Sequence, residues 1–306
     1  MPQAESLHFM SLHSIAIIGA SGQIGQALQR AAVDRRIPLI LAGRPDVDFD
    51  NKQSIEAFFA AHRPALVINA AAYTAVDKAE TDTQAARVAN CDGPAILAQL
   101  CQTNDAALVH LSTDYVFDGS KRQPYTESDP CRSLNVYGAT KTAGEEAVRV
   151  ALARHCIVRT AWVYSSAGQN FLKTMLRLGS ERDVVRVVAD QHGAPTCADD
   201  IAHALLDMAP RLMDKNESAP AWGTFHLTAS GETTWYGFAD EIFRLAHQAG
   251  WRVPRLKAIS TADYPAAALR PQYSVLDTSK LAQTFGLKLP DWQVSLAACF
   301  NRLQKI

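Results

Sequence analysis

The sequence predicts an α/β protein with a doubly wound parallel sheet and a smaller, interleaved C-terminal lobe. Through the first 165 residues, short apolar runs alternate with longer helical patterns. The runs are almost wholly apolar rather than alternating in polarity, as expected for parallel strands covered by helices on both faces. Right-handed strand–helix–strand connections of this kind build a doubly wound sheet.

The elements follow one another in a regular order in the first half and a looser one in the second. Strands are predicted at 14–19, 37–42, 65–69, 107–112 and 155–160, and helices at 23–35, 52–62, 78–103 and 136–153. Later helices are predicted at 170–180, 199–209, 235–250, 279–285 and 296–303, and strands at 184–188 and 224–228. Since no Gly/Ser-rich or Pro-rich linker separates the halves, we expect the second to be interleaved with the sheet.

Composition excludes several classes of protein. The 306 residues carry 30 Lys plus Arg and 31 Asp plus Glu, a formal charge of −1, which argues against a nucleic-acid partner. The apolar runs are far shorter than the roughly 20 residues of a membrane helix. Six cysteines without a Cys-x-x-Cys pair fit the reduced thiols of a cytoplasmic protein. Residues 1–13 lack the charge and apolar core of a signal peptide, and we expect a disordered leader.

A glycine-rich turn follows the first predicted strand and opens the first helix. Its glycines, Gly19, Gly22 and Gly25, permit a tight turn and a close backbone approach to a pyrophosphate at the helix N-terminus. A plain strand-to-helix turn is the alternative, but the position favours nucleotide binding. The expected contacts in this turn are Gly19, Ser21, Gly22, Gln23, Ile24 and Gly25.

The end of the second strand bears on the choice of cofactor. Gly43 and Arg44 stand where an acid would bind a ribose 2′-hydroxyl, and a guanidinium there suits a 2′-phosphate. The sequence therefore favours NADPH, with NADH possible; the alternative is a solvated surface arginine. Asp48 and Phe49 follow in a position that could flank the adenine.

Three polar residues in order along the chain predict the chemistry. Tyr137 and Lys141 are four residues apart at the start of a predicted helix, so both side chains lie on one face. A lysine cation one turn away would lower the pKa of the tyrosine. Thr113 ends the fourth strand, where open α/β sheets bind ligands, and Ser112 is its neighbour on the opposite strand face.

Longer segments resemble a known family. The G-x-x-G-x-x-G turn and the Thr–Tyr–Lys set resemble the extended short-chain dehydrogenase/reductases that act on sugar nucleotides. Within that branch, the chain after residue 13 is similar to the dTDP-4-dehydrorhamnose reductases. The segments that carry the similarity are 69–80, 111–119, 124–127, 134–145, 159–164, 168–171, 190–196, 270–274 and 289–293.

The resemblance implies a fold, a reaction and a set of contacts. It implies a Rossmann-type NAD(P)-binding domain over 14–165 and a mainly substrate-binding lobe over 166–306, with some segments returning to the sheet. The implied reaction is NADPH-dependent reduction of the C4 ketone of dTDP-6-deoxy-L-lyxo-4-hexulose, with Thr113, Tyr137 and Lys141 catalytic. Further cofactor contacts are expected at Ala70, Ala71, Ala72, Thr74, Asn90, Ser112, Tyr137 and Lys141. Substrate contacts are expected at Val76, Thr113, Asp114, Tyr115, Tyr137, Trp162, Asn170, Phe171 and Arg270.

A metal and a dimer are less well supported by the resemblance. Some family members bind Mg²⁺ through carboxylates shared between subunits, but the matching positions here are Ala27 and Arg302. Asp199 alone is left, and one carboxylate is too few for a firm magnesium site. The sequence therefore predicts no firm metal site and a monomer or weak homodimer.

Two alternatives stay open on the sequence alone. The first is another nucleotide-sugar reductase or epimerase of the same superfamily. An epimerase would retain NAD, whereas a reductase releases NADP after each turnover. The second is a non-catalytic NADP-binding regulatory subunit, similar to the β subunit of methionine adenosyltransferase, because fold does not imply activity.

Overall fold

The structure of the protein, a computed structural model, describes residues 14–216 and 221–304. The predicted leader, 1–13, lies outside the described residues. The strands are β1 (Ile15–Ile18), β2 (Leu39–Ala42), β3 (Leu66–Asn69), β4 (Ala107–Thr113), β5 (His155–Thr160), β6 (Val163–Tyr164), β7 (Val184–Val188), β8 (His192–Gly193), β9 (Thr196–Cys197), β10 (Gly223–His226), β11 (Thr233–Thr234) and β12 (Arg255–Ile259). The helices are α1 (Gln23–Arg35), α2 (Lys52–His62), α3 (Val76–Ala79), α4 (Thr83–Arg87), α5 (Gly93–Thr103), α6 (Val136–Ala151), α7 (Phe171–Glu181), α8 (Ala198–Met213), α9 (Trp235–Gln248), α10 (Ser279–Phe285) and α11 (Trp292–Leu303).

A six-stranded sheet with the order β2-β1-β3-β4-β5-β10 forms the centre of the molecule, and all of its pairs are parallel. The chain runs from β1 outward to β2 and then returns to β3 on the other side of β1, which creates the switch point where such sheets bind ligands. Because β10 joins beside β5, the C-terminal half contributes the last strand. The predicted fold class is confirmed.

Alternate residues of the sheet enter different cores, as the uniformly apolar strands predict. Ile15 and Ile17 of β1 pack in the cluster that includes α1 and α8. Their neighbours Ala16 and Ile18 pack in a second cluster with α2 and α5. Helices therefore cover both faces of the sheet.

Several elements of the C-terminal half form a lobe with its own apolar cluster. Residues of α7, α9 and α11 pack there around Phe238 and Trp292. The parallel pair of β7 and β12 lies outside the main sheet, and β12 is not predicted by the sequence pattern. Within the described residues, none of the helices has the length and apolar character needed to cross a membrane.

The predicted single helix over 78–103 is wrong. The structure divides it into α3, α4, a π-helical segment (Val88–Asp92) and α5. Packing against α6 accompanies the irregular segment: a Cβ atom on Gly144 of α6 would lie 2.0 Å from the carbonyl oxygen of Asn90. Such non-local contacts leave no mark in hydrophobic periodicity, whereas the predicted bounds of α1, α2, β5, β7 and α10 are confirmed.

Candidate active site

The turn between β1 and α1 is built from glycines that the structure requires. Gly19 has a φ of +83°, and a Cβ atom there would lie 2.6 Å from the backbone nitrogen of Ala71. A Cβ atom on Gly25 would lie 2.3 Å from the carbonyl oxygen of Gly19. Gly22 caps α1 without a side-chain hydrogen bond, so the first N–H groups of the helix suit an anionic ligand.

A cavity of about 480 Å³ opens beside this turn. Six residues expected to contact the cofactor line it, namely Gly19, Ser21, Arg44, Phe49, Ala71 and Ala72. Leu41, Val47 and Ala89 also line it, and sequence reasoning missed them because apolar side chains at these positions look like ordinary core residues. The cavity and the glycine turn together fit a dinucleotide.

Arg44 lies at the mouth of this cavity and is 70% exposed. Its guanidinium pairs with Asp48 at 3.1 Å (Nε to Oδ1) and with Asp50 at 3.2 Å (Nη2 to Oδ2). The Asp48 carboxylate, which the sequence places near the adenine, is thus paired with Arg44. Phe49 lies against α5, since a Cβ atom on Gly93 would be 2.3 Å from its ring.

Thr113 and Tyr137 come together where β4 ends and α6 begins. Asn135 caps α6 by accepting a hydrogen bond from the N–H of Gly138 at 2.8 Å, which fixes the first turn that carries Tyr137. The Thr113 side chain lies near the Tyr137 hydroxyl and lowers its pKa. Thr113 also donates to Asp114 (Oγ1 to Oδ1, 3.0 Å) and accepts from the N–H of Tyr115 (3.2 Å).

The pKa of Tyr137 differs from the expectation. Burial raises it to about 12, the Thr113 side chain lowers it in part, and the charge of Asp114 raises it again. The sequence predicted a pKa lowered by the Lys141 cation, but the side-chain nitrogen of Lys141 donates to the carbonyl oxygen of Leu111 at 2.6 Å instead of pairing with Tyr137. Lys141 is only 1% exposed, and burial lowers its pKa to about 8.

Ser112 is held away from this group by a buried ion pair. Its hydroxyl donates to Oε1 of Glu145 at 2.6 Å, and Glu145 also accepts from Arg159 at 2.8 Å (Nε) and 2.6 Å (Nη2). Arg159 and its hydrogen bonds hold the pKa of Glu145 below its usual value despite burial. The Ser112 side chain therefore contacts the Glu145–Arg159 pair of α6 and β5, and it does not line the first cavity.

The remaining expected cofactor contacts occupy varied positions. Asn90 binds both backbone groups of Tyr73 (2.9 Å and 3.1 Å) and the hydroxyl of Thr140 (3.1 Å), so it fixes the loop after β3. Ile24 and Ala70 pack against the core cluster, and Thr74 is exposed. Gln23 accepts hydrogen bonds from Asn170 at 2.9 Å and Ser165 at 3.2 Å, a connection to the lobe that the sequence did not indicate.

A second, larger cavity of about 670 Å³ lies on the lobe side. Phe171 and Arg270 line it as expected, together with Trp235 and Tyr264. Three further arginines, which sequence reasoning did not single out, also line it: Arg177, Arg182 and Arg186. The cavity therefore combines apolar walls with positive charge, as an aromatic base joined to a diphosphate would need.

The two tryptophans near this cavity stack on each other. The rings of Trp162 and Trp235 are 3.6 Å apart and within 8° of parallel. Trp162 has a φ of +48°, and a Cβ atom on Gly193 would lie 2.5 Å from its ring, so the surrounding structure holds it in a rare conformation. Asn170 caps α7 by accepting from the N–H of Lys173, and Val76 begins α3.

Arg270 is joined to the loop after β3 by a bidentate ion pair. Its Nη1 and Nη2 lie 3.0 Å and 2.6 Å from the two carboxylate oxygens of Asp77. Its charge also acts on the nearby Tyr115 side chain, and the ring of Tyr115 meets that of Tyr137 edge to face at 6.0 Å. Arg270 thus connects the lobe to the residues around Tyr137.

Comparison with known proteins agrees with this geometry. The family described as RmlD substrate binding domain matches residues 13–305. A dTDP-4-dehydrorhamnose reductase from Sinorhizobium fredii is 42% identical over 92% of this chain and 94% of its own length. One from Escherichia coli is 41% identical over 95% and 98%. The chain belongs to the dTDP-4-dehydrorhamnose reductase family. It is therefore an enzyme, an oxidoreductase.

Solved structures of the dTDP-4-dehydrorhamnose reductase family share the whole fold. The protein from Clostridium acetobutylicum has a TM-score of 0.88 and 38% identity, covering 95% of this chain and 99% of its own. The protein from Bacillus anthracis, solved in complex with NADP, has a TM-score of 0.86 and 35% identity over the same shares.

A magnesium site at Asp199 does not fit the residues present. Asp199 accepts from Arg30 at 2.8 Å and from Arg302 at 2.5 Å, so two guanidinium groups already pair with its carboxylate. In residues 14–216 and 221–304, no group of three or more His, Cys, Asp or Glu could hold a metal ion.

Proposed function

We propose that the protein reduces the C4 ketone of dTDP-4-dehydro-L-rhamnose to dTDP-L-rhamnose with NADPH, the last step of dTDP-L-rhamnose biosynthesis. The observation that carries the proposal is the placement of Thr113 beside Tyr137 at the carboxyl edge of the sheet, in a chain of this family. The pair provides a hydrogen-bond donor and a proton donor for one carbonyl oxygen.

NADPH would be held by the glycine turn and the first cavity. Gly19, Ser21 and the N-terminus of α1 would bind the pyrophosphate, and Arg44 would bind the 2′-phosphate in place of Asp48 and Asp50. The NADP complex of the Bacillus anthracis relative supports this cofactor. When bound, NADPH supplies the hydride.

The chain's own residues supply the proton and the alignment. Because its pKa is about 12, the Tyr137 hydroxyl stays protonated across the physiological range and can donate to the oxygen as negative charge develops there. Thr113 would hydrogen-bond the same oxygen and hold the ketone against the tyrosine. Lys141, one turn along α6, would hold the nicotinamide ribose and return a proton to Tyr137.

The larger cavity would bind the rest of the substrate. Its arginines, with Arg270, would pair with the diphosphate, and Phe171 and Trp235 offer apolar faces for the base or the deoxysugar. Trp162, stacked on Trp235, would support that surface. Residues 14–165 would then act as the cofactor domain and 166–306 mainly as the substrate lobe. We further propose a cytoplasmic monomer or weak homodimer.

The test is a coupled assay followed by the near-ultraviolet absorbance of NADPH. The assay contains the protein, dTDP-glucose, and the dehydratase and epimerase that together produce the 4-keto sugar. We expect NADPH oxidation only when the full cascade is present. No oxidation, with the cascade verified by an established reductase, would contradict the proposal, and NAD that stays bound through purification would instead favour an epimerase.

A further inference from the structure

A buried polar chain runs beneath the proposed site through Asn69, His110 and Lys141. The parallel register of β3 and β4 sets Asn69 beside His110, and the Nδ2 atom of Asn69 lies 3.1 Å from Nδ1 of His110. The Nε2 atom of His110 lies 3.4 Å from Nζ of Lys141. All three side chains are at most 1% exposed. Their N–H groups must therefore find hydrogen-bond acceptors inside the protein, because water does not reach them.

The orientation of the Asn69 amide is fixed by the backbone. Its Oδ1 accepts a hydrogen bond from the N–H of Ala71 at 3.1 Å, and a backbone N–H can only donate. The other end of the amide, Nδ2, therefore faces His110 as a donor. Nδ1 of His110 must accept, and a neutral imidazole with an accepting Nδ1 carries its proton on Nε2.

That proton faces Lys141. Nζ of Lys141 already donates to the carbonyl oxygen of Leu111 at 2.6 Å. An ammonium has no lone pair to receive the N–H of His110, whereas a neutral amine donates to Leu111 and accepts from His110 at once. The contacts of the buried group are thus satisfied when Lys141 is the neutral amine.

We propose that His110, held in its Nε2–H tautomer by Asn69, is a positioning residue that favours the neutral amine of Lys141. The functional consequence rests on the proposed reduction: Lys141 can pass a proton to the Tyr137 phenolate and regain one from water near neutral pH. In that transfer the N–H bond of the ammonium breaks, the O–H bond of Tyr137 forms, and the neutral amine remains.

The charges around Lys141 support this assignment. Burial lowers the pKa of Lys141 to about 8, against the charge of Glu145 on the same helix, which raises it. Glu145 is itself paired with Arg159 of β5 and Arg149 of α6. Burial and Lys141 hold the pKa of His110 well below its usual value, which keeps the imidazole neutral. Tyr137, Asp114 and Tyr115 are further titratable groups of the site.

The tautomer can be measured without any turnover. In protein with ¹⁵N-labelled histidine, the ring-nitrogen shifts report which nitrogen carries the proton, and H110Q assigns the His110 signals. We expect Nε2–H at His110, with no titration across the physiological range. His226 is the internal control: its Nδ1 lies 3.1 Å from the carbonyl oxygen of Asp277, so it must show the opposite tautomer. An Nδ1–H signal at His110 would overturn the proposal.

The effect on Lys141 is tested with N69S and N69D. Both remove the amide donor, so Nε2 of His110 becomes free to accept from the Lys141 ammonium. We expect the pH midpoint of kcat assigned to Lys141 to rise by about one pH unit in each, whereas H226Q leaves it in place. An unchanged midpoint in N69S, which adds no charge, would refute the proposal. If wild-type protein shows no reductase activity, the proposed function fails, but the tautomer measurement still decides this inference.

Discussion

Tyr137 is the residue on which the proposed chemistry depends most directly. Tyr137 is half-buried and lies beside Thr113, and its hydroxyl is protonated because desolvation raises its pKa to about 12. We therefore expect Y137F to keep its affinity for NADPH and to lose roughly 10²-fold or more in kcat, as loss of a proton donor requires. Cofactor binding is followed by NADPH fluorescence and turnover by the coupled assay.

A second tyrosine provides the control for this substitution. Tyr125 is buried, and its hydroxyl donates to Asp118 at 3.0 Å and takes no part in the group around Tyr137. Y125F removes the same atom, so we expect only a loss of stability and a kcat close to that of the wild type. Equal kcat values in Y137F and the wild type would contradict the proton-donor role.

The raised pKa of Asp114 can be tested by measuring how the free energy of unfolding depends on pH. Burial raises its pKa to about 6 from an ordinary 3.8, against hydrogen bonds that lower it. A raised pKa means that its contribution to stability is fully present below about pH 4 and is lost as the pH rises through about 6. Relative to the wild type, D114N should therefore gain up to about 3 kcal/mol in unfolding free energy between about pH 4 and pH 7.

Urea denaturation at both pH values measures this difference. D118N is a control of opposite sign, because hydrogen bonds from Ser120 hold the pKa of Asp118 below its usual value. Its difference from the wild type should become less favourable as the pH rises. If the difference in unfolding free energy between D114N and the wild type does not change with pH, the pKa of Asp114 is not raised in the folded protein.

At the residue scale, the sequence predicts those features of the site that depend on the spacing of residues along the chain. The i,i+4 pair of Tyr137 and Lys141 and the strand-end position of Thr113 follow from local geometry. The partners of these residues do not: Lys141 meets His110, and Ser112 meets Glu145, through packing of α6 on β4. The pKa of Tyr137 depends on that burial, so the sequence predicted its direction wrongly.

The turn that begins α1 yields a prediction at the scale of an element. A Cβ atom on Gly25 would lie 2.3 Å from the carbonyl oxygen of Gly19, so G25A must displace backbone and should cost about 1–3 kcal/mol in unfolding free energy. A Cβ atom on Gly22 meets nothing nearer than 3.4 Å, and its φ is −72°. G22A should cost less than about 1 kcal/mol.

Both variants are measured by urea denaturation without NADPH, so that any change in cofactor affinity does not enter the comparison. Equal losses in the two variants would mean that the close packing at Gly25 is relieved by a small shift of the turn. The sequence pattern could place this turn because its glycines mark it. It could not predict the π segment before α5 or the pairing of β12 with β7, because distant neighbours determine both.

At the scale of the molecule, several side-chain contacts join the cofactor side to the lobe, and two of them involve expected site residues. Asp77 pairs with Arg270, and Gln23 accepts from Asn170, across 193 and 147 residues of sequence respectively. The absence of a Gly/Ser-rich or Pro-rich linker predicts that the two halves interleave, and the position of β10 in the sheet confirms it. Nothing in the sequence pattern indicates which side chains meet across the halves, because such pairs depend on how the finished layers pack.

The Asp77–Arg270 ion pair joins the two halves of the molecule, and we expect it to affect substrate binding. Asp77 is 47% exposed, so its ion pair should contribute less than about 1 kcal/mol to stability. Its larger effect is to orient the Arg270 guanidinium toward Tyr115 and the larger cavity. The hydrogen bond from Arg270 lowers the pKa of Asp77, so the pair is fully formed at neutral pH and is lost only in acid.

We therefore expect D77N to unfold almost like the wild type but to raise the KM for the nucleotide sugar by roughly five- to tenfold, with a smaller change in kcat, because a preorganised guanidinium becomes free to rotate. D207N is the matched control: Asp207 is 45% exposed and pairs with Arg35 at 2.6 Å on the α1–α8 surface. It should leave KM unchanged. A KM that falls in D77N would show instead that Asp77 competes with the diphosphate for Arg270, and that the pair must open before the substrate binds.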